Sequence, residues 1–147
     1  MNKTISELLE KLEKNEEKYG GSIFNDNEKA NDEEIGYFNN WCKELFKKGF
    51  LEYIEFIKII NGFNNNGLYI YSINKKCDYS IYESNETWWD ANDELKEYIF
   101  WGDSDISLYC KNVKNENYYI LDKGSGSAME EYKTFDEIMI EALKIAL

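Results

Sequence analysis

The first sixty residues repeat apolar positions at the spacing of α-helices. A stripe at i, i+3, i+4 and i+7 predicts a first helix, and it consists of Ile5, Leu8, Leu9 and Leu12. Thr4 and Glu7 have the spacing of a capping box, so we expect this helix to begin there. Gly20-Gly21 is expected to end it, because glycine adopts the left-handed conformation of a helix C-terminus. A polar loop over residues 21–31 follows.

Two further helices are predicted before the pattern changes. One runs from about Asp32 to Gly49 and is expected to bury Ile35, Phe38, Cys42, Leu45 and Phe46. The next runs from about Phe50 to Asn61, with Gly62 just past its end. It is expected to bury Leu51, Ile54 and Ile57, with Phe56 and Ile60 as further candidates.

After Gly62 the composition favours strands. Residues 68–73 are β-branched and aromatic between turn-forming residues, which predicts a strand, and residues 77–82 are a weaker candidate for another. The polar segment 85–98 predicts a short helix or a lid-like connection. A strand is expected to begin at Tyr98 and to break at Gly102.

Strict alternation marks the next strand. Ile106, Leu108 and Cys110 alternate with more polar residues, which predicts a strand with one buried face. The chain returns over residues 118–121 and turns again into a strand at about 128–132. A second capping box, Thr134 and Glu137, opens a final helix that is expected to bury Phe135, Ile138, Met139, Ala142 and Leu143. We therefore predict a single α+β domain over residues 1–147, with N-terminal helices and a C-terminal helix packed against an antiparallel-rich twisted sheet.

The composition excludes several kinds of chemistry. The chain has no Arg, His, Pro or Gln, so it lacks the histidine of a Ser-His-Asp triad and of a His-ligated zinc site. The absence of Arg also removes the bidentate clamp for phosphate. A net charge of −12 argues against binding to nucleic acid or to an anionic membrane, and it suits a basic protein partner. A surface that is acidic only for solubility is an equally simple explanation.

The cysteines and the termini point to a cytoplasmic protein. Cys42, Cys77 and Cys110 are odd in number and far apart, so we expect reduced thiols and neither a disulfide framework nor a zinc site. The N-terminus does not have the pattern of a signal peptide, and no apolar stretch reaches the roughly 18 residues of a membrane span.

Two loop motifs resemble ligand sites without meeting their requirements. The Gly-x-Gly at Gly124 and Gly126 follows a strand, but Met129 stands where a dinucleotide-binding turn needs a small residue. We therefore expect a hairpin turn. The acidic run from Asp90 has the alternation of a calcium loop, but Leu95 stands where that loop needs glycine, so we expect a solvated acidic segment. We predict no metal and no cofactor.

Tryptophan next to carboxylates is the most informative feature of the chain. Tryptophan is a preferred interface anchor, and carboxylates around it suit a basic partner. The candidate partner-binding residues are Trp88, Trp89, Asp90, Asp93, Glu94, Asp103 and Asp105. We expect Trp101 to be buried, and one residue of the pair Trp88 and Trp89 to be buried with the other exposed.

The order of several short motifs resembles the SUKH superfamily, and more narrowly its YrhA-like, Smi/Knr-related branch. An amphipathic helix ends in Asn61-Gly62, and a strand then reads Gly-Leu-Tyr-Ile-Tyr from Gly67. The run Ile99-Phe-Trp-Gly-Asp-Ser-Asp-Ile-Ser107, which includes Gly102, and the later Tyr118-Tyr-Ile-Leu-Asp122 extend the resemblance. The family often enters the Asn-Gly helix through Leu-Pro, whereas this chain has Gly49-Phe50.

The resemblance implies a non-enzymatic protein and, in many bacterial members, an immunity protein that neutralises a toxin domain, often a nuclease. It transfers no catalytic residue, and it does not identify contact residues, because the partner surface varies within the superfamily. We therefore expect a cytoplasmic binder of a basic cognate toxin. A regulatory or scaffolding protein of the same fold is the alternative, and a carboxylate-based hydrolase is a less favoured one.

Overall fold

The structure, a computed structural model, describes residues 1–24 and 29–147. Within them, five helices accompany an open sheet of six antiparallel strands. The helices are α1 (Lys3–Glu17), α2 (Asp32–Phe46), α3 (Leu51–Ile57), α4 (Ile81–Ala91) and α5 (Phe135–Ile145), and a 3₁₀ turn covers Asp93–Glu97. The strands are β1 (Phe63–Asn65), β2 (Leu68–Ile70), β3 (Tyr98–Asp103), β4 (Ser107–Asn112), β5 (Tyr118–Asp122) and β6 (Ala128–Tyr132). The α+β prediction is confirmed. Residues 25–28 of the predicted loop lie outside the described residues.

The six strands form a simple meander in chain order, so β1 and β6 are its two edges. Strand β1 is not predicted from the sequence, because Asn64-Asn65-Asn66-Gly67 has the composition of a turn. In the structure, Asn66 and Gly67 both have positive φ, at 48° and 83°, and they form the turn of a tight β1–β2 hairpin. An Asn-Gly pair is the preferred sequence for a two-residue hairpin of this kind.

The predicted strand at residues 77–82 is wrong. Ser80 is the N-cap of α4, where its side chain accepts a hydrogen bond from the amide of Glu83. Only an isolated bridge between Ser72 and Ser80 has strand geometry there. The short β-like run Cys77–Tyr82 therefore contains a helix start, which the serine specifies.

Helix α4 completes the part of β3 that β2 does not reach. The side chain of Asn85 donates to the carbonyl of Phe100 at 2.8 Å and accepts from its amide at 2.7 Å. One helical turn later, Trp89 donates its indole N–H to the carbonyl of Tyr98 at 2.9 Å. Buried backbone groups need partners, and these two side chains supply them where a neighbouring strand is missing.

Two helix termini differ from the sequence prediction, and a third agrees with it. Asn2, not Thr4, is the N-cap of α1, since its side chain accepts from the amides of Thr4 and Ile5. Helix α2 ends at a left-handed Lys47 before it reaches Gly49. Thr134 does cap α5 as predicted, by accepting from the amide of Glu137.

The core lies between the sheet and the helices, with Trp101 fully buried as expected. The rings of Tyr53, Tyr109 and Phe135 surround it at centroid distances of 6.4, 5.6 and 5.2 Å. Helix α5 buries all five predicted residues. Strand β4 is covered on both faces, not one, because Ser107 and Tyr109 are buried with Leu108 and Cys110.

Three apolar residues that were expected to be buried are exposed. Leu45 on α2, Leu51 at the start of α3 and Ile106 in the β3–β4 turn are 52%, 66% and 71% exposed. Helix α3 has only seven residues and ends before Asn61, so its stripe is shorter than the pattern indicated. Ile106 precedes the first paired residue of β4, which is why the alternation does not extend to it.

Asn61, Gly62 and Gly102 have specific structural roles. Asn61 accepts from the amide of Ile73 at 2.9 Å and thereby links the segment after α3 to the chain after β2. Gly62 has a φ of +78°, and a Cβ there would lie 2.6 Å from the carbonyl oxygen of Ile70. A Cβ at Gly102 would lie 2.8 Å from the carbonyl oxygen of Tyr69. Both glycines are needed for the close approach of neighbouring backbone.

Candidate functional site

The candidate residues Trp88 and Trp89 are both half-buried on α4. The expectation that one is buried and the other exposed is wrong, because adjacent residues of a helix are only about 100° apart and both of these side chains reach the sheet. In the helix, Trp89 bonds the β3 backbone and its ring packs on Trp41 at 6.1 Å. Trp88 donates its indole N–H to the hydroxyl of Tyr71 at 3.0 Å. The two tryptophans therefore attach α4 to the sheet.

Next to Trp88 lies a partly buried polar network, which we call the Asp103 network. It consists of Trp88, Tyr71, Asp103, Lys123 and Ser104. The hydroxyl of Tyr71 donates to Asp103, whose other carboxylate oxygen lies 3.0 Å from the ammonium of Lys123. Lys123 also donates to the carbonyl of Ser104 at 3.0 Å and lies 5.6 Å from the ring centroid of Trp88.

The Asp103 network is internally satisfied. Burial, followed by the charge of Asp103 and the hydrogen bond to it, raises the pKa of Tyr71 well above its usual value. Tyr71 is therefore a protonated donor at neutral pH, and each polar side chain of the network has an internal partner. Asp103 is the only buried carboxylate among the described residues. Asp103 was predicted as a partner-binding residue, but its position within this network indicates a structural role.

The remaining candidate carboxylates are exposed near the β5–β6 turn, and we call them the acidic turn surface: Asp90, Asp93, Glu94 and Asp105. The first three lie at the end of α4 and in the 3₁₀ turn, where Asn92 and Leu95 lie within 4.0 Å of a Cβ placed at Gly126. On the other side of the turn, the amide of Lys123 donates to the carbonyl of Ile106, next to Asp105. The β5–β6 turn thus contacts the 3₁₀ turn on one side and the β3–β4 turn on the other, and the carboxylate of Asp105 lies beside Gly67 of the β1–β2 turn.

The two ligand-like motifs form turns. Asp122 accepts from the amide and the hydroxyl of Ser125, at 2.8 and 2.7 Å, and these hydrogen bonds lower the pKa of Asp122. The Gly-x-Gly segment is therefore the β5–β6 hairpin turn, as predicted. In the acidic segment from Asp90, the side chain of Asn92 caps the 3₁₀ turn by accepting a hydrogen bond from the backbone amide of Glu94 at 3.0 Å. Within residues 1–24 and 29–147, no group of three or more His, Cys, Asp or Glu residues is arranged to hold a metal ion.

The structure also has an open groove of about 410 Å³, which the sequence does not predict and which contains none of the candidate residues. We call it the Tyr118 groove, and it is lined by Glu52, Lys111, Glu116, Tyr118, Lys133, Thr134, Phe135 and Asp136. Tyr118 is 3% exposed, and its hydroxyl has no hydrogen-bond partner. No sequence motif marks this groove, because its residues come from α3, β4, the following turn, β5 and the start of α5.

The three cysteines are free. Burial raises the pKa of the Cys42 thiol to about 12, and burial also raises the pKa of Cys110 well above its usual value. Both thiols are therefore protonated and poor nucleophiles at neutral pH. Among the described residues no helix has the length and apolar composition to cross a membrane.

No protein-family model matches the chain, and no curated protein is significantly similar to it. The resemblance to the SUKH superfamily thus rests on the order of the short motifs in the sequence.

Proposed function

We propose that this protein is a SUKH-like, immunity-type binding protein that acts in the cytoplasm and neutralises a basic toxin domain by covering part of its surface. It performs no chemistry in this role. The observation that carries the proposal is the placement of charge: the described carboxylates lie on the surface, with Asp103 as the single exception.

The negative charge of the surface carboxylates is much larger than the positive charge of the lysines in the chain. The chain has 29 acidic residues and 17 lysines, which leaves a net charge of −12. Surface ion pairs such as Asp93 with Lys96, at 3.0 Å, are solvent-exposed and contribute little to stability. An excess of this kind favours fast association with a basic protein, because long-range attraction steers the encounter.

The acidic turn surface is the part of this charge that we assign to the partner. Its four carboxylates are exposed, and the exposed Ile106 beside Asp105 offers an apolar contact at its edge. A small apolar contact within a charged surround is typical of protein interfaces. Trp88 and Trp89 support this surface from below by holding α4 in place.

The motifs of the SUKH resemblance lie at structurally demanding positions. Asn61 and Gly62 connect α3 to the sheet, Gly67 forms the first hairpin turn, and Gly102 allows close strand approach. Backbone requirements of this kind restrict residue choice strongly. This supports the proposal that the motifs reflect a shared fold.

The test combines rescue with binding kinetics. Co-expression with the product of the adjacent reading frame is expected to relieve its toxicity, and a pull-down is expected to recover the complex. In stopped-flow mixing, the association rate constant should exceed the roughly 10⁵–10⁶ M⁻¹s⁻¹ of unsteered pairs at low salt and fall steeply as ionic strength rises.

A matched pair of variants tests the surface. The change Asp90→Asn, Asp93→Asn, Glu94→Gln, Asp105→Asn should slow association about tenfold. A control with the same loss of charge, Glu10→Gln, Glu17→Gln, Glu33→Gln, Glu44→Gln, removes exposed carboxylates of α1 and α2 and should slow it much less. Equal slowing by both variants would refute the assigned surface. Complex formation with a housekeeping protein, without rescue, would instead favour the regulatory alternative.

A further inference from the structure

The Tyr118 groove differs from the rest of the surface in having an unsatisfied hydroxyl at its floor. The side chain of Tyr118 packs against Phe50 and Phe135, at centroid distances of 6.3 and 5.8 Å, which fixes the ring. Burial, and after it the charges of Glu52, Glu116 and Asp136, raise the pKa of Tyr118. The hydroxyl therefore lies near three carboxylates that line the groove, and it stays protonated at neutral pH. A buried hydroxyl without a partner is costly. This hydroxyl has almost no accessible surface, so an incoming acceptor reaches it when neighbouring side chains of the groove move aside.

Lys111 adds a second donor beside Tyr118. Its ammonium lies 5.6 Å from the ring centroid of Tyr118 and 5.0 Å from that of Phe50. The ion pair between Lys111 and Glu52 is long, at 3.8 Å, so the ammonium has capacity for a further acceptor. The floor of the groove thus offers two hydrogen-bond donors over an aromatic base.

The rim of the groove carries two exposed carboxylates and the exposed ammonium of Lys133. Glu116, in the β4–β5 turn, is exposed and lies 3.5 Å from the ammonium of Lys48. Asp136, in the first turn of α5, is exposed and accepts a 3.5 Å hydrogen bond from Asn2. These carboxylates attract a cation to the rim, and they repel an isolated anion that approaches the donors on the floor.

We propose that the Tyr118 groove binds a short extended segment of a basic protein partner, with a backbone carbonyl of that segment accepting from Tyr118 and Lys111 and a lysine or arginine side chain lying between Glu116 and Asp136. A neutral carbonyl satisfies the floor donors without the repulsion that a free anion meets. The adjacent cationic side chain matches the rim. The identity of the partner rests on the proposed function, whereas the chemistry of the groove is open to a separate test.

The test uses capped amino acids as probes for the segment. N-acetyl-arginine-N-methylamide carries two amide carbonyls and one cation, and its citrulline analogue has the same shape without the charge. Each is titrated into ¹⁵N-labelled protein, and amide chemical shifts are followed by NMR. We expect the arginine probe to shift the amides of residues 116–118 and 134–136 with a millimolar Kd. The citrulline probe should bind there about threefold more weakly.

Two variants locate the contacts. Tyr118→Phe removes only the hydroxyl and should weaken the arginine probe about threefold to tenfold. Glu116→Gln should weaken the arginine probe about threefold and leave the citrulline probe unchanged. Glu10→Gln on α1 is the matched control, because Glu10 also forms an exposed ion pair, with Lys14 at 3.7 Å, but does not line the groove.

Shifts outside the groove only, equal binding of both probes, or an unchanged Kd in Tyr118→Phe would overturn the inference. These results do not depend on toxin rescue. If the protein rescues cells from the toxin but its groove does not bind the arginine probe, the proposed function is supported and the role of the groove is refuted. If the groove binds the probe but the protein gives no rescue, the groove chemistry is supported and the proposed function is refuted.

Discussion

The Asp103 network and the Tyr118 groove contain the same chemical groups in opposite states. Each combines a buried tyrosine hydroxyl, a lysine ammonium near an aromatic ring, and a carboxylate. In the network, the hydroxyl of Tyr71 has two side-chain partners, whereas the hydroxyl of Tyr118 has none. The difference separates two uses of buried polarity: internal satisfaction stabilises the fold, and an unsatisfied group beside an opening indicates a place for a ligand.

The largest effect is expected for the network carboxylate. Asp103→Ala removes the charged partner of Lys123 and the acceptor of the Tyr71 hydroxyl, so the free energy of unfolding should fall by about 3 kcal/mol. Urea unfolding measures it. The control is Asp93→Ala, since Asp93 pairs with Lys96 at the same 3.0 Å but in solvent. Its cost should stay below about 1 kcal/mol, and similar costs for both variants would show that burial does not distinguish the pairs.

Removing the hydroxyl of Tyr71 or of Tyr118 compares the network and the groove most directly. Tyr71→Phe should cost about 2 kcal/mol, because it leaves one carboxylate oxygen of Asp103 and the indole N–H of Trp88 each without a partner. Tyr118→Phe removes a hydroxyl that has no partner, so the variant should be as stable as the parent or up to about 1 kcal/mol more stable. A destabilised Tyr118→Phe protein would mean that its hydroxyl is satisfied in solution.

Alkaline pH should affect both tyrosines alike. Burial is the first cause of the raised pKa at Tyr71 and at Tyr118. A raised pKa in the folded state gives stability that is present below the unfolded value near 10 and is lost as pH rises above it. Each tyrosine should therefore contribute about 1 kcal/mol to the loss of stability between pH 10 and pH 11. Unfolding of both Phe variants at these two pH values measures the contribution, and an unchanged loss in either variant would show that its hydroxyl titrates normally.

The smallest effect is expected at the groove rim. Glu116→Gln breaks an exposed ion pair with Lys48 and should change the free energy of unfolding by less than about 0.5 kcal/mol. Thermal unfolding of this variant beside Glu10→Gln tests the value. A cost above about 1 kcal/mol would assign Glu116 a structural role and weaken its use as a probe of binding.

Local sequence signals predicted most of the fold. The stripe of Ile5 to Leu12, the alternation at Leu108 and Cys110, and the cap at Thr134 each act within a few residues, so the pattern alone determines the element. The errors lie where tertiary contacts decide. Segment 77–82 has strand-like residues, but the cap at Ser80 and the bonds from Asn85 to β3 make a helix. The edge strand β1 is too short to show a period.

Only part of the candidate site could be predicted from the sequence. The sequence does predict the exposure of Asp90, Asp93, Glu94 and Asp105, since carboxylates without a buried partner stay in water. The burial of Asp103 depends on Lys123 and Tyr71, which are separated from it by 20 and 32 residues. The Tyr118 groove forms where α3, β5 and α5 come together, and no short sequence motif predicts this tertiary contact.

Strand β6 closes the meander with an edge that is open to solvent. Its bulge at Met129, between the pairs of Ile120 and Leu121, interrupts the straight ladder that a second copy would need. Glu130 and Glu131 add negative charge to this edge, which deters self-pairing at neutral pH. Near the isoelectric point of about 4.5, the net charge of the protein approaches zero, so repulsion between two copies is lost. Acidification should therefore promote aggregation of the folded protein along this edge, and storage buffers well above that pH should prevent it.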